Sequence, residues 1–258
     1  MLYRWNREKM KDSIEIIETT KLVTEKPVVI IGIPDIGLVG SIATFHILDK
    51  LKLEEIAHLE SDKFPPVIVV HDKRPKSPIR IYGNKDILIL ISEIPINSSL
   101  IPEISRSLIE WFKTKDVSLV MSLGGIAHPD RLEIKKPTVY GLGTDEETDE
   151  ILKKNDINIF EEGLIVGPNG IIIRDCMKNG IPSLYLMTES HYRYPDPGAA
   201  ASIIEIINKI LNLNIDVREL LDKEEEIKIK ARDLMKRTEQ SMKEMQKIRE
   251  KEIPMMYR

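Results

Sequence analysis

The chain has 258 residues and a formal net charge of -4, with 42% hydrophobic and 31% charged residues. This length and balance are typical of a globular protein with one large domain or two small ones. The acidic balance argues against a general nucleic-acid binder, which needs a strong positive surplus on one face. The single cysteine, Cys176, excludes an intramolecular disulfide and a cysteine-rich zinc site.

The sequence contains no uncharged apolar run long enough to span a bilayer. Residues 1–12 mix charged and aromatic side chains, unlike a secretory signal peptide. We therefore expect a cytoplasmic protein that does not contact a membrane.

The first part of the chain is dominated by short apolar runs. Residues 28–33 are a β-branched run, typical of a strand buried on both faces. A glycine-rich turn and an apolar helix to about Lys50 follow it, and this order is the opening half of a βαβ unit. Further strands are predicted at residues 13–18, 56–59, 67–70, 79–82 and 86–93, with turns at 65–66 and 75–78.

Helices and strands alternate after residue 93. One helix, capped by Ser98 or Ser99, is predicted to run to about Lys115, and another with an acidic first turn is capped by Thr144. The remaining strands are predicted at 117–123, 138–142, 164–166 and 183–187, and the remaining helices at 168–179 and 199–211. This alternation predicts an α/β fold with a mostly parallel sheet flanked by helices on both faces.

The character of the sequence changes after about residue 214. Residues 216–253 contain no glycine or proline and would extend about 55 Å as one helix. Their apolar stripe has the four-three spacing of a helix that pairs with one neighbour. The stripe consists of Ile227, Ala231, Leu234, Thr238, Ser241, Met245 and Ile248. We therefore predict an α/β core domain at 1–214 and a charged helical arm with a C-terminal tail at 215–258, which carries the tail outward.

The sequence ends in Met256, Tyr257 and Arg258, after Pro254. An apolar side chain and a phenol can enter a pocket, and a terminal carboxylate can pair with a partner's lysine or arginine. Pro254 ends the preceding helix and frees the last residues from it. These residues are a candidate docking plug for another protein, and the alternative is an ordinary frayed terminus.

Glycine-rich loops provide the first candidates for enzyme chemistry. Residues 32–40 (GIPDIGLVG) resemble a dinucleotide-binding fingerprint but lack its spacing, so tight turning and close helix–sheet contact is the preferred interpretation. Residues 124–131 are predicted to follow a strand, where α/β sheets often bind ligands. In that loop His128 is a candidate acid/base partner of Asp130 or Glu133.

His191 with Glu189 forms a second candidate pair at the end of the last predicted strand. Neither pair has a supporting catalytic motif, and the histidines lack metal-ligand spacing. His46 is expected in the core or an interface, and Cys176 is expected to be a structural thiol. The preferred interpretation is that these histidines and carboxylates are loop residues satisfied by water or local hydrogen bonds. We expect no cofactor and no metal.

Three motifs in the same order resemble the proteasome assembly chaperone family, namely residues 32–40, 124–125 with 137–141, and 195–201. The resemblance spans about residues 13–212, and the archaeal members, homolog B in particular, are the nearest likeness. It implies a fold like that of purine nucleoside phosphorylase without that enzyme's active site. It also implies a homo-oligomer, a tetramer or else a pentamer, that displays C-terminal tails to the 20S proteasome.

In that family the tail is a hydrophobic residue, a tyrosine and any final residue, which matches Met256, Tyr257 and Arg258. The resemblance implies that such tails insert between adjacent subunits of the proteasome α ring, where the carboxylate meets a lysine, and open the gate. Met256 replaces a branched aliphatic residue, and its larger rotamer entropy affects the affinity rather than the mode of docking.

Two functional hypotheses follow. The first is an ATP-independent assembly chaperone or activator of the archaeal 20S proteasome, which is not an enzyme. The alternative is a nucleoside phosphorylase-like or ligase-like enzyme, with a closed polar pocket at the loops around Gly37, Gly124 and His128. A scaffold for another complex is a third hypothesis.

Overall fold

The computed structural model describes residues 13–252, except for the side chains of residues 246 and 248–252. Within these residues the strands are numbered in chain order. They are β1 (Glu15–Glu18), β2 (Val28–Gly32), β3 (Glu54–Glu60), β4 (Val69–His71), β5 (Arg74–Lys76), β6 (Ile79–Gly83), β7 (Ile87–Ser92), β8 (Leu119–Ala127), β9 (Val139–Gly143), β10 (Asn158–Ile159) and β11 (Ser183–Ser190).

Nine of these strands form one mixed sheet in the order β1-β3-β6-β7-β2-β8-β11-β9-β10, and β4 pairs with β5 in a separate hairpin. The central strands β7, β2, β8 and β11 run parallel to one another. The flanking pairs β1–β3, β3–β6, β6–β7 and β9–β11 are antiparallel. The sheet therefore has the predicted parallel centre, extended on each side by antiparallel strands.

Helices cover both faces of the sheet, which confirms the predicted α/β class. One core cluster lies on the face covered by the first and fifth helices, and a second lies on the face covered by the second and fourth. The helices are α1 (Val39–Leu51), α2 (Ile101–Thr114), α3 (Glu146–Lys154), α4 (Pro168–Lys178), α5 (Pro197–Leu211), α6 (Arg218–Asp222) and α7 (Glu224–Glu252).

The β-branched run that predicts a doubly buried strand behaves as expected in β2. Val29, Ile30 and Ile31 are almost fully buried, and they alternate between the two core clusters. Because α1 and α2 cover opposite faces of the sheet, both sides of β2 exclude water. Apolar side chains at successive positions are therefore all stabilising there.

Several predicted boundaries are wrong. The strand expected to stop before Gly124 continues to Ala127 as β8, so both glycines lie inside a strand. Residues 164–166, predicted as a strand, form no regular structure, and the predicted turn at 75–78 overlaps β5. The end of β8 moved because pairing with the distant strand β11 outweighed the local propensity of the two glycines.

The caps of two helices also differ from the predictions. Asp145, not Thr144, caps α3, and its side chain accepts from the backbone N–H of Thr148 in a capping box. Asn97, not Ser98 or Ser99, caps the 3-10 turn that leads into α2. The capping chemistry is as expected in both cases, because each cap is a short polar side chain in an extended conformation.

The predicted C-terminal helix is divided in two. The short helix α6 ends at Asp222, and α7 begins at Glu224 and is 29 residues long, about 43 Å at the usual rise per residue. No helix among residues 13–252 is both long enough and apolar enough to cross a membrane.

Candidate functional site

The long helix α7 lies against the α/β body along much of its described length. It contacts α5, α6 and the 3-10 turn at residues 36–38. Thr238 of the predicted stripe is 1% exposed, and Met235, which the predicted stripe does not include, is 2% exposed, so this side of the helix is buried as deeply as the core. The apolar stripe is therefore confirmed as a packing surface as far as Met245, and its neighbour is the body of the same chain.

The outward face of α7 carries charged pairs at helical spacing. Lys228 lies 2.6 Å from Glu224, and Lys243 lies 2.7 Å from Glu239. Exposed pairs of this kind stabilise a helix by about 0.3–0.5 kcal/mol each. The charge run is therefore a solvated helix face, as the sequence indicates. The predicted docking residues Met256, Tyr257 and Arg258 lie outside the described residues.

A cavity of about 330 Å³ lies between α7 and the carboxyl ends of the central strands. Its lining is mostly apolar. The body contributes Asp35, Gly125 and Tyr185, and α7 contributes Thr238, Met242 and Met245. Its volume is near the lower end of the range for small-molecule sites.

The polar centre of this cavity is the carboxyl group of Asp35. Its Oδ2 accepts from the backbone N–H of Gly125 at 3.3 Å, and the Tyr185 hydroxyl is also hydrogen-bonded to it. The Asn169 amide donates in turn to the Tyr185 oxygen at 3.4 Å. Among the described residues Asp35 Oδ1 is buried and has no hydrogen-bond partner.

Burial raises the pKa of Asp35 well above its usual range, and the bonds from Gly125 and Tyr185 offset only part of that shift. Burial also raises the pKa of the Tyr185 phenol, so this hydroxyl stays protonated. A desolvated carboxyl group without a cationic partner favours its neutral form. A carboxyl whose pKa is perturbed in this way inside a cavity is a candidate functional group.

The glycines of the two motifs permit close packing around this group. A Cβ on Gly124 would lie 2.3 Å from Asp35 Oδ2 and 2.3 Å from the Tyr185 hydroxyl oxygen. Gly37 has a φ of +65°, and a Cβ there would lie 1.9 Å from Ser190 Oγ. These contacts support the interpretation that the glycines serve tight turning and close approach.

A second buried carboxyl group lies in the neighbouring loop. The Arg131 Nη2 donates to Asp196 Oδ1 at 2.8 Å, and its Nε lies 2.8 Å from Oδ2. Asp196 also caps α5 by accepting from the backbone N–H of Ala199 at 2.9 Å. The motif at residues 195–201 is thus held by a buried ion pair that also caps a helix.

The acid/base pairs considered from the sequence do not form in the described structure. His128 Nδ1 faces the backbone N–H of Asp130 at 3.2 Å, not its carboxylate. Glu189 accepts from the backbone N–H of Thr138, and the His191 ring packs edge-on against Tyr194. No histidine is among the residues that line the described cavity.

Two other candidates are structural, as expected. His46 is buried, and its Nε2 lies 2.7 Å from the Asp216 carbonyl oxygen, which ties α1 to the segment before α6. Cys176 is fully buried, and desolvation raises the pKa of its thiol to about 12. Among residues 13–252, no group of three or more His, Cys, Asp or Glu side chains is arranged to hold a metal ion.

The central residues of the cavity could not be singled out from local patterns. Asp35 lies within the glycine-rich motif, but its contacts Gly125 and Tyr185 are 90 and 150 positions away. The available signal was an acidic residue after a proline at the start of a helix, which by itself is typical of a cap.

The parallel centre of the sheet and the helices on both of its faces define a three-layer α/β protein, and the C-terminal helix α7 packs on this body. The model of the PAC2 family matches residues 29–235. An uncharacterized protein of Methanocaldococcus jannaschii is 36% identical over 246 residues, which cover 95% of this chain and 99% of that protein. The chain therefore belongs to the PAC2 family.

Comparison with solved structures supports the same family assignment. The crystal structure of Pyrococcus furiosus PbaA, an archaeal homolog of proteasome-assembly chaperone, matches with a TM-score of 0.82 and 29% identity over 89% of this chain and 99% of that one. The structure of Pyrococcus furiosus PbaB, an archaeal proteasome activator, matches with a TM-score of 0.74 and 22% identity over 86% and 98%. The predicted family resemblance is confirmed.

Proposed function

We propose that this protein is an ATP-independent assembly chaperone or activator of an archaeal 20S proteasome, acts in the cytoplasm and is not an enzyme. The observation that carries the proposal is its PAC2 membership together with the likeness to PbaA. In this proposal the tail Met256, Tyr257 and Arg258 docks between α subunits of the proteasome. The alternative is a nucleoside phosphorylase-like or ligase-like enzyme. This hypothesis has less support, because the candidate histidines do not line the described cavity.

The geometry of α7 supports a role in presenting the tail. The helix is fastened to the body by Met235 and Thr238, and the tail begins four residues after its described end at Glu252. A helix that packs on the body from Ile227 to Met245 limits the volume that the attached tail explores. This restriction lowers the entropy cost of docking.

Docking through several tails requires an oligomer, because three residues bind weakly alone and gain through effective concentration. The hairpin of β4 and β5 offers a surface for contact with a second copy of the chain. Around it, Val67 is 40% exposed, while Ile68 and Val70 are each 65% exposed. Adjacent exposed apolar side chains are typical of an interaction surface.

The oligomer is tested by light scattering during size-exclusion chromatography. We expect a tetramer, or else a pentamer, and we expect Ile68→Asp to dissociate it. Val23→Asp is the matched control, because Val23 is 77% exposed and lies outside the hairpin. A strictly monomeric wild-type protein would contradict the proposal.

Tail docking is tested by capture of purified archaeal 20S proteasome on immobilised protein. We expect deletion of residues 256–258, and Tyr257→Ala, to abolish capture and stimulation of fluorogenic-peptide hydrolysis. Extra residues after Arg258 should act in the same way by displacing the carboxylate. Tyr194→Ala is the matched control, since Tyr194 is an exposed tyrosine of the body. Undiminished capture by the truncated protein would refute the role of the tail.

A further inference from the structure

The two edges of the nine-stranded sheet differ in how open they are to pairing. One edge is β10, which is only two residues long. The other is β1 (Glu15–Glu18), which contains no proline, no lysine and no bulge. Short strands, prolines, lysines and bulges are the devices that keep an exposed edge from pairing with another chain. Within residues 13–252 β1 pairs with β3 alone, so its outer side is the edge open to a further strand.

The directions of the hydrogen bonds along β1 identify the backbone groups on that outer side. The backbone N–H of Thr19 donates to the Ile56 carbonyl of β3 at 2.8 Å. Because these directions alternate along an antiparallel strand, Ile17 also bonds to β3. Ile16 and Glu18 therefore point their N–H and carbonyl groups away from β3, towards the open edge.

The side chains of β1 leave these backbone groups accessible. The Glu18 carboxylate accepts from Trp111 Nε1 at 2.7 Å and lies 2.8 Å from Lys115 Nζ, so it is turned towards α2. Ile16 and Ile17 point to opposite faces of the sheet, and both are only half-buried. A strand added at this edge covers more of both isoleucines, and removal of that apolar surface from water is stabilising.

We infer that the outer edge of β1 pairs with β1 of a second copy of the chain, antiparallel and about a two-fold axis. In this pairing Ile16 exchanges both backbone hydrogen bonds with Glu18 of the partner subunit, and Ile17 lies opposite Ile17 of the partner subunit. A register with Ile16 opposite itself would need the Ile14 carbonyl, which already accepts from the Ser107 hydroxyl at 2.7 Å. The inference rests on the proposed homo-oligomer and specifies one of its interfaces.

The charges along β1 agree with this register. It sets Glu15 opposite Thr19 of the partner subunit and Glu18 opposite Ile16 of the partner subunit, so no carboxylate faces another. Like charges directly opposite each other destabilise a strand pair. A shift of one residue would bring Glu15 opposite Glu18 of the partner subunit and would turn the wrong backbone groups towards the new strand.

The groove beside this edge is suited to a second copy for the same reason. It is open, has a volume of about 620 Å³ and lies between the start of β1 and α2, where Ile14, Ile16 and Trp111 line it. Arg106 and Glu110 also line it, and in the described part of the chain neither forms an ion pair. A surface with one unpaired cation and one unpaired anion is complementary to its own copy across a two-fold axis.

The symmetry of the proposed tetramer gives this edge a role. A tetramer built from two-fold contacts requires two different self-complementary surfaces, because one such surface alone produces a dimer. The hairpin of β4 and β5, with exposed Ile68 and Val70, is the surface already considered. The edge of β1 supplies the second one.

The register is tested by a cysteine at the centre of the ladder. Ile17→Cys places two sulfur atoms opposite each other in a non-hydrogen-bonded pair, where the Cα atoms lie about 4.5 Å apart and a disulfide can form. Mild oxidation with diamide should convert most of the full-length protein into a covalent dimer on a non-reducing gel. Ile16→Cys is out of register with its own copy, and Val23→Cys lies outside the strand at a 77% exposed position, so neither should form the dimer. The native Cys176 is fully buried and does not compete.

The contact itself is tested by light scattering during size-exclusion chromatography. Ile17→Lys sets two cations opposite each other at the axis, so the molar mass should fall to half that of the wild-type tetramer, which is a dimer held by the hairpin. Ile68→Asp should leave the other dimer, held by β1, and the two substitutions together should give the monomer. Val23→Lys is the matched control and should keep the wild-type mass. An unchanged circular dichroism spectrum checks that each variant is folded.

Three results would overturn the inference: a folded Ile17→Cys protein forms no covalent dimer, Ile16→Cys forms it equally well, or Ile17→Lys keeps the wild-type mass. A pentamer would also overturn it, because two-fold contacts cannot close a ring with an odd number of subunits. A tetramer that responds to Ile68→Asp alone would refute the β1 contact and leave the proposed function intact. A strictly monomeric wild-type protein would overturn both.

Discussion

Two aspartates in adjoining loops of this fold have opposite surroundings: Asp196 is buried, and Asp35 is half-buried with a buried Oδ1. Asp35 and Asp196 each follow a proline and precede a helical turn. Their loops are in contact, because the Asp196 backbone N–H donates to the Gly37 carbonyl at 2.9 Å. Asp196 is paired with Arg131 on both carboxylate oxygens, whereas within residues 13–252 Asp35 has no cationic partner and its Oδ1 has no hydrogen-bond partner.

This difference separates a structural carboxyl group from a candidate functional group. Besides Arg131, Asp196 accepts from the backbone N–H groups of His191 and Ala199, so its acceptors are used within the fold. Asp35 lines the cavity, and its buried Oδ1 has no hydrogen-bond partner in the described part of the chain. Local sequence is similar at the two positions, so the distinction depends on which distant side chain reaches each carboxyl.

The largest expected effect is on the paired aspartate. Arg131→Met leaves Asp196 buried without its cation, and removing one partner of a buried ion pair costs about 3–5 kcal/mol. Urea unfolding at neutral pH measures this loss. Lys136→Met is the control, because Lys136 is 76% exposed in its pair with Glu205, and exposed pairs contribute about 0–1 kcal/mol. If Arg131→Met lowers the free energy of unfolding by less than about 1 kcal/mol, the pair with Asp196 contributes no more than an exposed pair, and the proposed difference between Asp196 and Asp35 is wrong.

The next effect concerns the unpaired aspartate and its pH dependence. The folded-state pKa of Asp35 is raised, so the folded protein binds more protons than the unfolded chain above the ordinary carboxyl pKa. Wild-type stability therefore decreases as pH rises from about 4 towards the raised pKa. The amide in the variant Asp35→Asn does not ionise, so its free energy of unfolding does not fall with pH for this reason. We therefore expect the difference in free energy of unfolding, variant minus wild type, to increase by about 1.4 kcal/mol for each pH unit in that range.

Urea unfolding of the two proteins at pH 5 and pH 6 measures the gain. The absolute stability of the variant is not decisive, because the amide also changes the bonds to Gly125 and Tyr185. The decisive quantity is how much the stability difference between variant and wild type changes from pH 5 to pH 6. Parallel pH curves for the two proteins would show that Asp35 ionises in the folded state as easily as in water.

The sequence predicted the parts of the fold that depend on local pattern. The apolar run of β2 spans a few residues and the stripe on α7 spans a few helical turns, so each pattern can be recognised within a short segment. The structure has a strand and a packed helix face at these positions. The α/β class and the order of the central elements follow from such segments. The stripe on α7 did not show that its neighbour is the same chain's body, because several apolar surfaces would satisfy the same spacing.

The rest depended on contacts between distant residues. Two consecutive glycines usually end a strand, but Gly124 and Gly125 remain in β8 because it pairs with β11 throughout this region. In addition, a Cβ at Gly124 would collide with Asp35 and Tyr185. The cavity is built in the same way, from residues separated by more than a hundred positions, and no local spacing records such a meeting.

The smallest effect tests how far the network around Asp35 extends. Tyr185→Phe removes a buried hydroxyl that bonds to Asp35 and to Asn169, and we expect a loss of about 0.5–1.5 kcal/mol. It also removes a bond that lowers the Asp35 pKa, so that pKa should rise further and the pH dependence should persist over a wider range. Tyr192→Phe, which lines the same cavity without bonding to Asp35, is the control and should change stability by less than about 0.5 kcal/mol. Equal losses in both variants would mean that the hydroxyl of Tyr185 serves packing alone, and that Asp35 depends on the Gly125 N–H.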